Sequence, residues 1–253
     1  MVDTSGNKSE INNYMKRILL AMLVLAVVVN AKAQKFIIND RDAELRSVGS
    51  FTGIKASSAI DIYISQGDET GVAVSATEQK VKDRIKTEVK DGVLNIWFDG
   101  KGWSDWRGNK HMKAYVSVKE INMIKADGAC DVKLMGKLKA DRLNVDMGGA
   151  SDISGELECR QLDMNLSGAS DTKLKGSIGK VSVKLSGASS VKGWDLVTDY
   201  CEVDASGASS INVVVNKELN LKASGASDIN YKGTGLIREM KSSGASSISR
   251  KDG

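Results

Sequence analysis

Ser167-Gly168-Ala169-Ser170-Asp171 is one of seven near-copies of a single pentapeptide. The others are Asp127-Gly128-Ala129-Cys130-Asp131, Gly148-Gly149-Ala150-Ser151-Asp152, Ser186-Gly187-Ala188-Ser189-Ser190, Ser206-Gly207-Ala208-Ser209-Ser210, Ser224-Gly225-Ala226-Ser227-Asp228 and Ser243-Gly244-Ala245-Ser246-Ser247. Their central glycines are spaced by 21, 19, 19, 20, 18 and 19 residues. A unit of about 20 residues cannot bury an apolar face alone, so a fixed period of this size means stacked repeats sharing one continuous core.

Between the pentapeptides the side chains alternate, as in Leu162-Asp163-Met164-Asn165-Leu166 and Val181-Ser182-Val183-Lys184-Leu185. Period two is the signature of strand. After each copy the alternation resumes, at Val132, Ile153, Thr172, Val191, Ile211, Ile229 and Ile248, and runs to a glycine such as Gly136, Gly155, Gly176, Gly193 or Gly233. Each repeat therefore reads as strand, corner, strand, corner, with no room for a crossover helix. The fold expected is all-β: a parallel β-helix, or β-solenoid, with coils of about 19–20 residues, right-handed because parallel crossovers almost always are. Stacking predicts inward columns, one of Leu143, Leu162, Val181, Cys201 and Leu219, another of Leu138, Cys159, Ile178 and Val197. At the corner, Gly supplies positive φ or close backbone approach, Ala a small inward side chain, and the serines hydrogen bonds to backbone.

Upstream, Ala59-Ile60-Asp61-Ile62-Tyr63-Ile64 and Val93-Leu94-Asn95-Ile96-Trp97 keep the alternation without the repeat, and Ala56-Ser57-Ser58-Ala59-Ile60-Asp61 reads as a decayed corner. These are expected to be irregular coils capping one end of the core, with a short helix near Glu78 to Ile85. At the front, Met15-Lys16-Arg17, the apolar run Ile18 to Val29 and Ala31-Lys32-Ala33 read as a secretory signal peptide, too short to span a bilayer. The expected organisation is a leader over 1–14, a signal peptide over 15–33, N-terminal coils with a tryptophan-rich loop over 34–120, and regular coils of the same domain over 121–253. The expected location is periplasmic, outer-membrane-associated or extracellular.

Composition removes several functions. The 36 Lys+Arg against 32 Asp+Glu give a net charge of only +4, no nucleic-acid footprint. Three Cys and one His, in no ligand spacing, do not assemble a zinc site, and no cofactor is implied. Cys130, Cys159 and Cys201 sit at unequal phases of the repeat, so they are expected to be unpaired, buried thiols.

The stretch Val48-x-x-Phe51-x-x-Ile54-Lys55, then Ile60-Asp61-Ile62-x-Ile64-x-Gln66-Gly67-Asp68, then Ile85-Lys86-Thr87-Glu88-Val89-Lys90-Asp91-Gly92-x-Leu94, followed by SGAS-type corners, resembles the auto-transporter adhesin head GIN domain family of Bacteroidetes envelope proteins. The resemblance runs from about Val48 to Lys251. It implies a pectin-lyase-like right-handed β-helix without established catalytic residues, and a part in adhesion. The segment Gly100 to Met112 matches no motif of that family.

Asp131, Asp152 and Asp171 hold one corner position on three successive coils and are candidates for a calcium site, although the nonapeptide of calcium-binding β-rolls is absent. Paired carboxylates for glycoside chemistry can be drawn from these same aspartates, but that chemistry requires two acids in distinct environments, whereas a repeat supplies near-identical ones. The second candidate site is the loop from Gly100 to Lys113, where Trp103, Trp106, Arg107, Lys110 and His111 are suited to stacking on a sugar ring or peptide and holding acidic groups, or to forming a lid on the first coil. Arg238, Lys241, Arg250 and Lys251, around the last corner, read as charges that keep the stack from adding strands. The leading expectation is a non-enzymatic adhesion or ligand-binding module whose partner is an envelope or extracellular ligand, glycan or protein. The alternatives are a carbohydrate-active lyase or hydrolase on the same scaffold, or a structural envelope protein.

Overall fold

The alternating segments form strands on both sides of every corner in the computed structural model, which describes residues 38–102 and 111–251. In chain order these are β1 (Glu44–Arg46), β2 (Gly53–Ser57), β3 (Asp61–Gln66), β4 (Gly71–Ser75), the one-turn helix α1 (Gln79–Lys82), β5 (Ile85–Lys90), β6 (Val93–Phe98), β7 (Lys113–Val118), β8 (Met123–Asp127), β9 (Asp131–Met147), β10 (Asp152–Leu166), β11 (Asp171–Leu185), β12 (Ser190–Ala205), β13 (Ser210–Ala223), β14 (Asp228–Lys232), β15 (Leu236–Ser242) and β16 (Ser247–Arg250). They stack as a parallel β-solenoid of about seven turns. In the central coils the second corner does not interrupt the strand. In β9 to β13 the chain bends at an internal glycine or bulge while the ladder continues on both sides.

Two faces meet at the pentapeptide corner. After the corner, the order is β7, β3, β9, β10, β11, β12, β13, β14, β16; before it, the order is β6, β2, β8, β9 and on to β13 and β15. The N-terminal coils are therefore stacked out of sequence. The coil β2–β3 lies between the coil β6–β7 and the coil β8–β9. Beyond β6 and β7 the pairing turns antiparallel, with β5 on β6, β4 on β7 and β1 on β4, which finishes that end of the core. The β5–β6 hairpin turns at Asp91-Gly92, both at positive φ, as a tight two-residue hairpin requires.

The first inward column is as the repeat predicts: Leu143, Leu162, Val181, Cys201 and Leu219 are in register and buried. The second is not. Cys159 pairs with Ala140 and Ile178, and Ile178 pairs with Thr198, while Leu138 stacks on Leu157 and Val197 points to solvent. The cause is register. The β9–β10 ladder slips between Ser154 and Glu156, and β11–β12 slips between Thr172 and Gly176 to absorb one extra residue. With a period of two, a one-residue slip exchanges the faces, so Thr198 turns inward in place of Val197.

At the corner the roles of Ala and Ser are also reversed from expectation. Ala150, Ala169, Ala188 and Ala208 are exposed, and the inward small residue is the next one: Cys130, Ser151, Ser170, Ser189, Ser209 and Ser227, all buried. Serine suits this position because its hydroxyl closes the turn from within. Ser170 Oγ donates to the Ser167 carbonyl, Ser189 to Ser186, Ser209 to Ser206 and Ser227 to Ser224, at 2.7–3.0 Å. Each alanine N–H in turn donates to the glycine carbonyl one coil below, Ala169 to Gly149 and Ala188 to Gly168 at 2.7 Å, so the ladder passes through the corner unbroken. Ser57-Ser58-Ala59-Ile60 makes the same corner without glycine: Ser58 and Ala59 take positive φ, and Ile60 fills the inward position.

The glycines answer two demands that mutation can separate. A Cβ on Gly207, at φ 76°, would stand 2.6 Å from the Gly187 carbonyl oxygen, whereas one on Gly92, at φ 73°, would meet nothing within 4 Å. Gly92→Ala is expected to cost about 1 kcal/mol for the left-handed backbone alone, and Gly207→Ala about 3 kcal/mol or more, since the coil spacing must also open. Urea denaturation of both variants checks the difference. Thr172, 1% exposed between Ile153 and Val191, carries a hydroxyl with no hydrogen-bond partner among the described residues. Thr172→Val is expected to raise stability by about 1 kcal/mol, read from the same unfolding curves.

Candidate ligand-binding face

The outward residues after each corner form two parallel columns. In the first, Lys113, Asp61, Asp131, Asp152, Asp171, Ser190, Ser210, Asp228 and Ser247 follow one another up the stack. Two residues further along each strand, Tyr115, Tyr63, Lys133, Ser154 and Lys173 form the second. Their side chains share one flat face because they leave the sheet on the same side. Tyr63 and Tyr115 stack with ring centroids 5.1 Å apart, and Lys133 Nζ lies 5.4 Å from the Tyr63 centroid. The rings and the ammonium thus continue one another along the stack.

The aspartates are answered by donors. Asp152 Oδ1 accepts from the Asp171 N–H at 3.0 Å, Lys192 Nζ lies 3.2 Å from Asp171 Oδ2, and Ser247 Oγ donates to Asp228. Among the described residues, no group of three or more His, Cys, Asp or Glu side chains is arranged to hold a metal ion. Between these residues lies a shallow depression of about 240 Å³, lined by Asp131, Asp152, Asp171, Lys133, Lys173 and Lys192 with the intervening backbone. Asp61 stands apart: burial, and then the charge of Asp131, raise its carboxyl above the ordinary range, against the pull of Lys133, Lys113 and His111. At the end of the face, Tyr115 Oη donates to Asp40 Oδ2 at 2.7 Å. Burial and that bond raise the Tyr115 hydroxyl. The Asp40 carboxyl is raised by burial, but the bonds from Tyr115, the Asp42 N–H and Ser75 outweigh it and leave it lowered.

The tryptophan-rich connection joins the same face. β6 pairs with β2 up to Ile96 and Ala56, and β7 pairs with β3 from Lys113 and Asp61. The connection from β6 to β7 therefore replaces, in the outermost coil, the corner that Ser57 to Ile60 make in the next one. Trp103, Trp106, Arg107 and Lys110 fall outside the described residues. His111 is exposed at φ 36°, and Met112, buried, passes its carbonyl to the Asp61 N–H at 2.9 Å. The topology thus brings the root of the loop to Asp61, the first carboxylate of the aspartate column. Sequence reasoning treated the loop and the aspartates as separate sites and missed Asp61, Tyr63 and Tyr115. Their shared spacing, Asp61-x-Tyr63, Lys113-x-Tyr115 and Asp131-x-Lys133, was the available signal.

A family model described as "Putative auto-transporter adhesin, head GIN domain" matches residues 50–235. The chain belongs to this GIN domain family. Among solved structures, this GIN domain is similar to a "putative adhesin" from Bacteroides fragilis (23% identity, TM-score 0.72, covering 83% of this chain and 96% of that one) and to a "putative lipid binding protein" from Parabacteroides distasonis (18% identity, TM-score 0.63, covering 84% and 98%). It is also similar to a "putative adhesin" from Parabacteroides merdae (15% identity, TM-score 0.66, covering 83% and 95%). At these identities the likeness establishes the fold. Comparison with curated proteins finds none that matches this GIN domain.

The thiols stand away from this face's chemistry. Cys130, Cys159 and Cys201 are free and buried. Cys130 takes the inward position that serine holds in later coils, its Sγ 3.5 Å from the Asp127 carbonyl. Burial raises all three thiols, and Cys201 is pushed up to about 12. Folding therefore keeps Cys201 protonated while the unfolded chain ionises near its ordinary value of 9.0. Its contribution is complete below that pH and is lost as the pH rises toward about 12. A thiol-reactive chromophore at pH 8 is expected to leave Cys201 unmodified in the folded protein and to label it in urea. Rapid labelling of the folded protein at Cys201 would contradict its burial.

Proposed function

We propose that this GIN domain is an exported, non-enzymatic module of the bacterial cell envelope that binds an extracellular glycan on the face after the corner. The observation that carries this reading is the replacement of the outermost corner by a connection containing Trp103 and Trp106, rooted at Asp61 beside the Tyr63–Tyr115 stack. Flat aromatic rings take the apolar face of a sugar, while Lys133, Lys113 and the aspartates supply donors and acceptors for its hydroxyls and charged substituents. In this reading Arg107 and Lys110 supply cations for acidic groups of the ligand, and His111 a hydrogen-bonding ring. Export rests on the signal-like Ile18 to Val29 and Ala31-Lys32-Ala33; among the described residues no helix is long and apolar enough to cross a membrane. Family membership in an adhesin-type group and the neighbours' descriptions agree with a binding role.

A β-helix enzyme acting on polysaccharide is the second reading, and its support is the raised carboxyl of Asp61 one coil from Asp131. A glycan array followed by a turnover assay on each bound polysaccharide separates the two. Binding without turnover is expected. Trp103→Ala with Trp106→Ala, and separately Tyr63→Ala, are expected to weaken binding about tenfold each, the equivalent of about 1.4 kcal/mol. The melting temperature of the tryptophan pair variant should stay at the wild-type value. A large fall in stability with binding retained would make the connection a lid and place binding elsewhere, and product release would favour the enzyme.

A further inference from the structure

The two ends of the solenoid differ. The N-terminal end is finished by antiparallel strands, β1 on β4 and β5 on β6. At the other end, β15 and β16 continue the inward columns, Ile237 on Leu219, Met240 on Leu221 and Ile248 on Ile229. In earlier coils these positions are buried, but Ile237 is 39% and Met240 43% exposed. Their backbone is oriented for further pairing. In coil after coil the carbonyl of an inward residue accepts from the coil above: Cys130 from Asp152, Met147 from Ser167, Val215 from Gly235 and Tyr231 from Lys251. By the same alternation the main-chain groups of Met240 face the open end.

The charges of β15 are self-complementary about this residue. Glu239 and Lys241 flank Met240 on the outward side, 2.5 Å apart, and Glu239 also lies 3.4 Å from Lys222. Arg238 forms a bulge in the β13–β15 ladder and is held by Glu218 at 2.6 Å. The sequence suggested that Arg238 and Lys241 repel added strands; in the structure each has an acidic partner. We propose that two copies of this chain join end to end through β15. A two-fold axis at Met240 pairs the strands antiparallel, with the two Met240 residues exchanging both main-chain hydrogen bonds. It places Glu239 opposite Lys241 of the second copy, and Lys241 opposite its Glu239. Antiparallel pairing is what a two-fold axis across the stack produces, and because each copy then contributes the same edge, the assembly closes at two.

The test is the mass of the intact protein by sedimentation equilibrium over a concentration series. Wild type is expected at twice the single-chain mass. Glu239→Lys and Lys241→Glu each set like charges opposite one another twice per interface, so each variant alone should dimerise at least about tenfold more weakly. The double variant Glu239→Lys with Lys241→Glu restores both pairs and should dimerise like wild type. Mixing the two single variants should give a heterodimer, because each then meets the opposite charge. Far-ultraviolet circular dichroism spectra of all variants should match, which separates weakened association from loss of the fold. A monomeric wild type overturns the proposal, and so do single variants that dimerise as strongly as wild type or a mixture that stays monomeric.

Discussion

Everything in this molecule hangs on the close passage of one corner over another. The alanine N–H of each pentapeptide reaches the glycine carbonyl beneath it at 2.7–2.8 Å, and no Cβ fits between them. That contact sets the coil spacing at the corner to the spacing the strands require, so the backbone ladder runs from one face to the other without orphaned polar groups. The buried serine follows from it. A chain turning so tightly leaves a carbonyl three residues back pointing inward, and a hydroxyl of that size satisfies it where a larger apolar side chain would not fit. Where serine is missing, the compensations are visible: Cys130 offers a weaker thiol, and Ile60 fills the space in a corner that has left-handed serine and alanine instead of glycine.

A strictly repeating corner has a functional consequence. It leaves outward columns of like residues, which is a poor way to build a catalytic pair and a good way to build a long flat surface. Distinct environments arise only where the repeat breaks. Along the face after the corner, it breaks at the outermost parallel coils, where Tyr63 and Tyr115 stand in the column that continues with Lys133, where Lys113 stands in the column of aspartates, and where the tryptophan-rich connection replaces the corner itself. The raised carboxyl of Asp61 and the Tyr115–Asp40 bond belong to this region, where buried polar groups must find partners that the repeat does not supply.

The stacking of the N-terminal coils explains why these features gather at one place. Because β6 and β7 lie outside β2 and β3, and only the antiparallel β4 and β5 with the helix between them pair beyond, the connection from β6 to β7 is not stacked between two glycine corners. An insertion of the same length between Gly149 and Gly207 would have to pass between coils whose corner atoms already touch. The far end shows no such antiparallel finish among the described residues, and there the inward residues Ile237 and Met240 stand exposed.

The period of the pentapeptides, the alternation around them and their glycines determined the solenoid, its coil length and the column from Leu143 to Leu219, because a repeated local geometry can stack in only one register at the corner. Away from the corner that certainty decays with distance: one extra residue between Gly187 and Gly207 inverted the facing and moved Val197 out, while the two-residue slip opposite Ser154 kept the facing and set Leu138 on Leu157 instead of Cys159. The order of the first coils was not legible at all. Alternating segments such as β2, β6 and β8 look alike in sequence, and which of them lies beside which is settled only when their apolar faces compete for the same core. That choice, made by tertiary packing, is what brought Asp61, the tyrosine stack and the root of the tryptophan-rich connection to one end of one face.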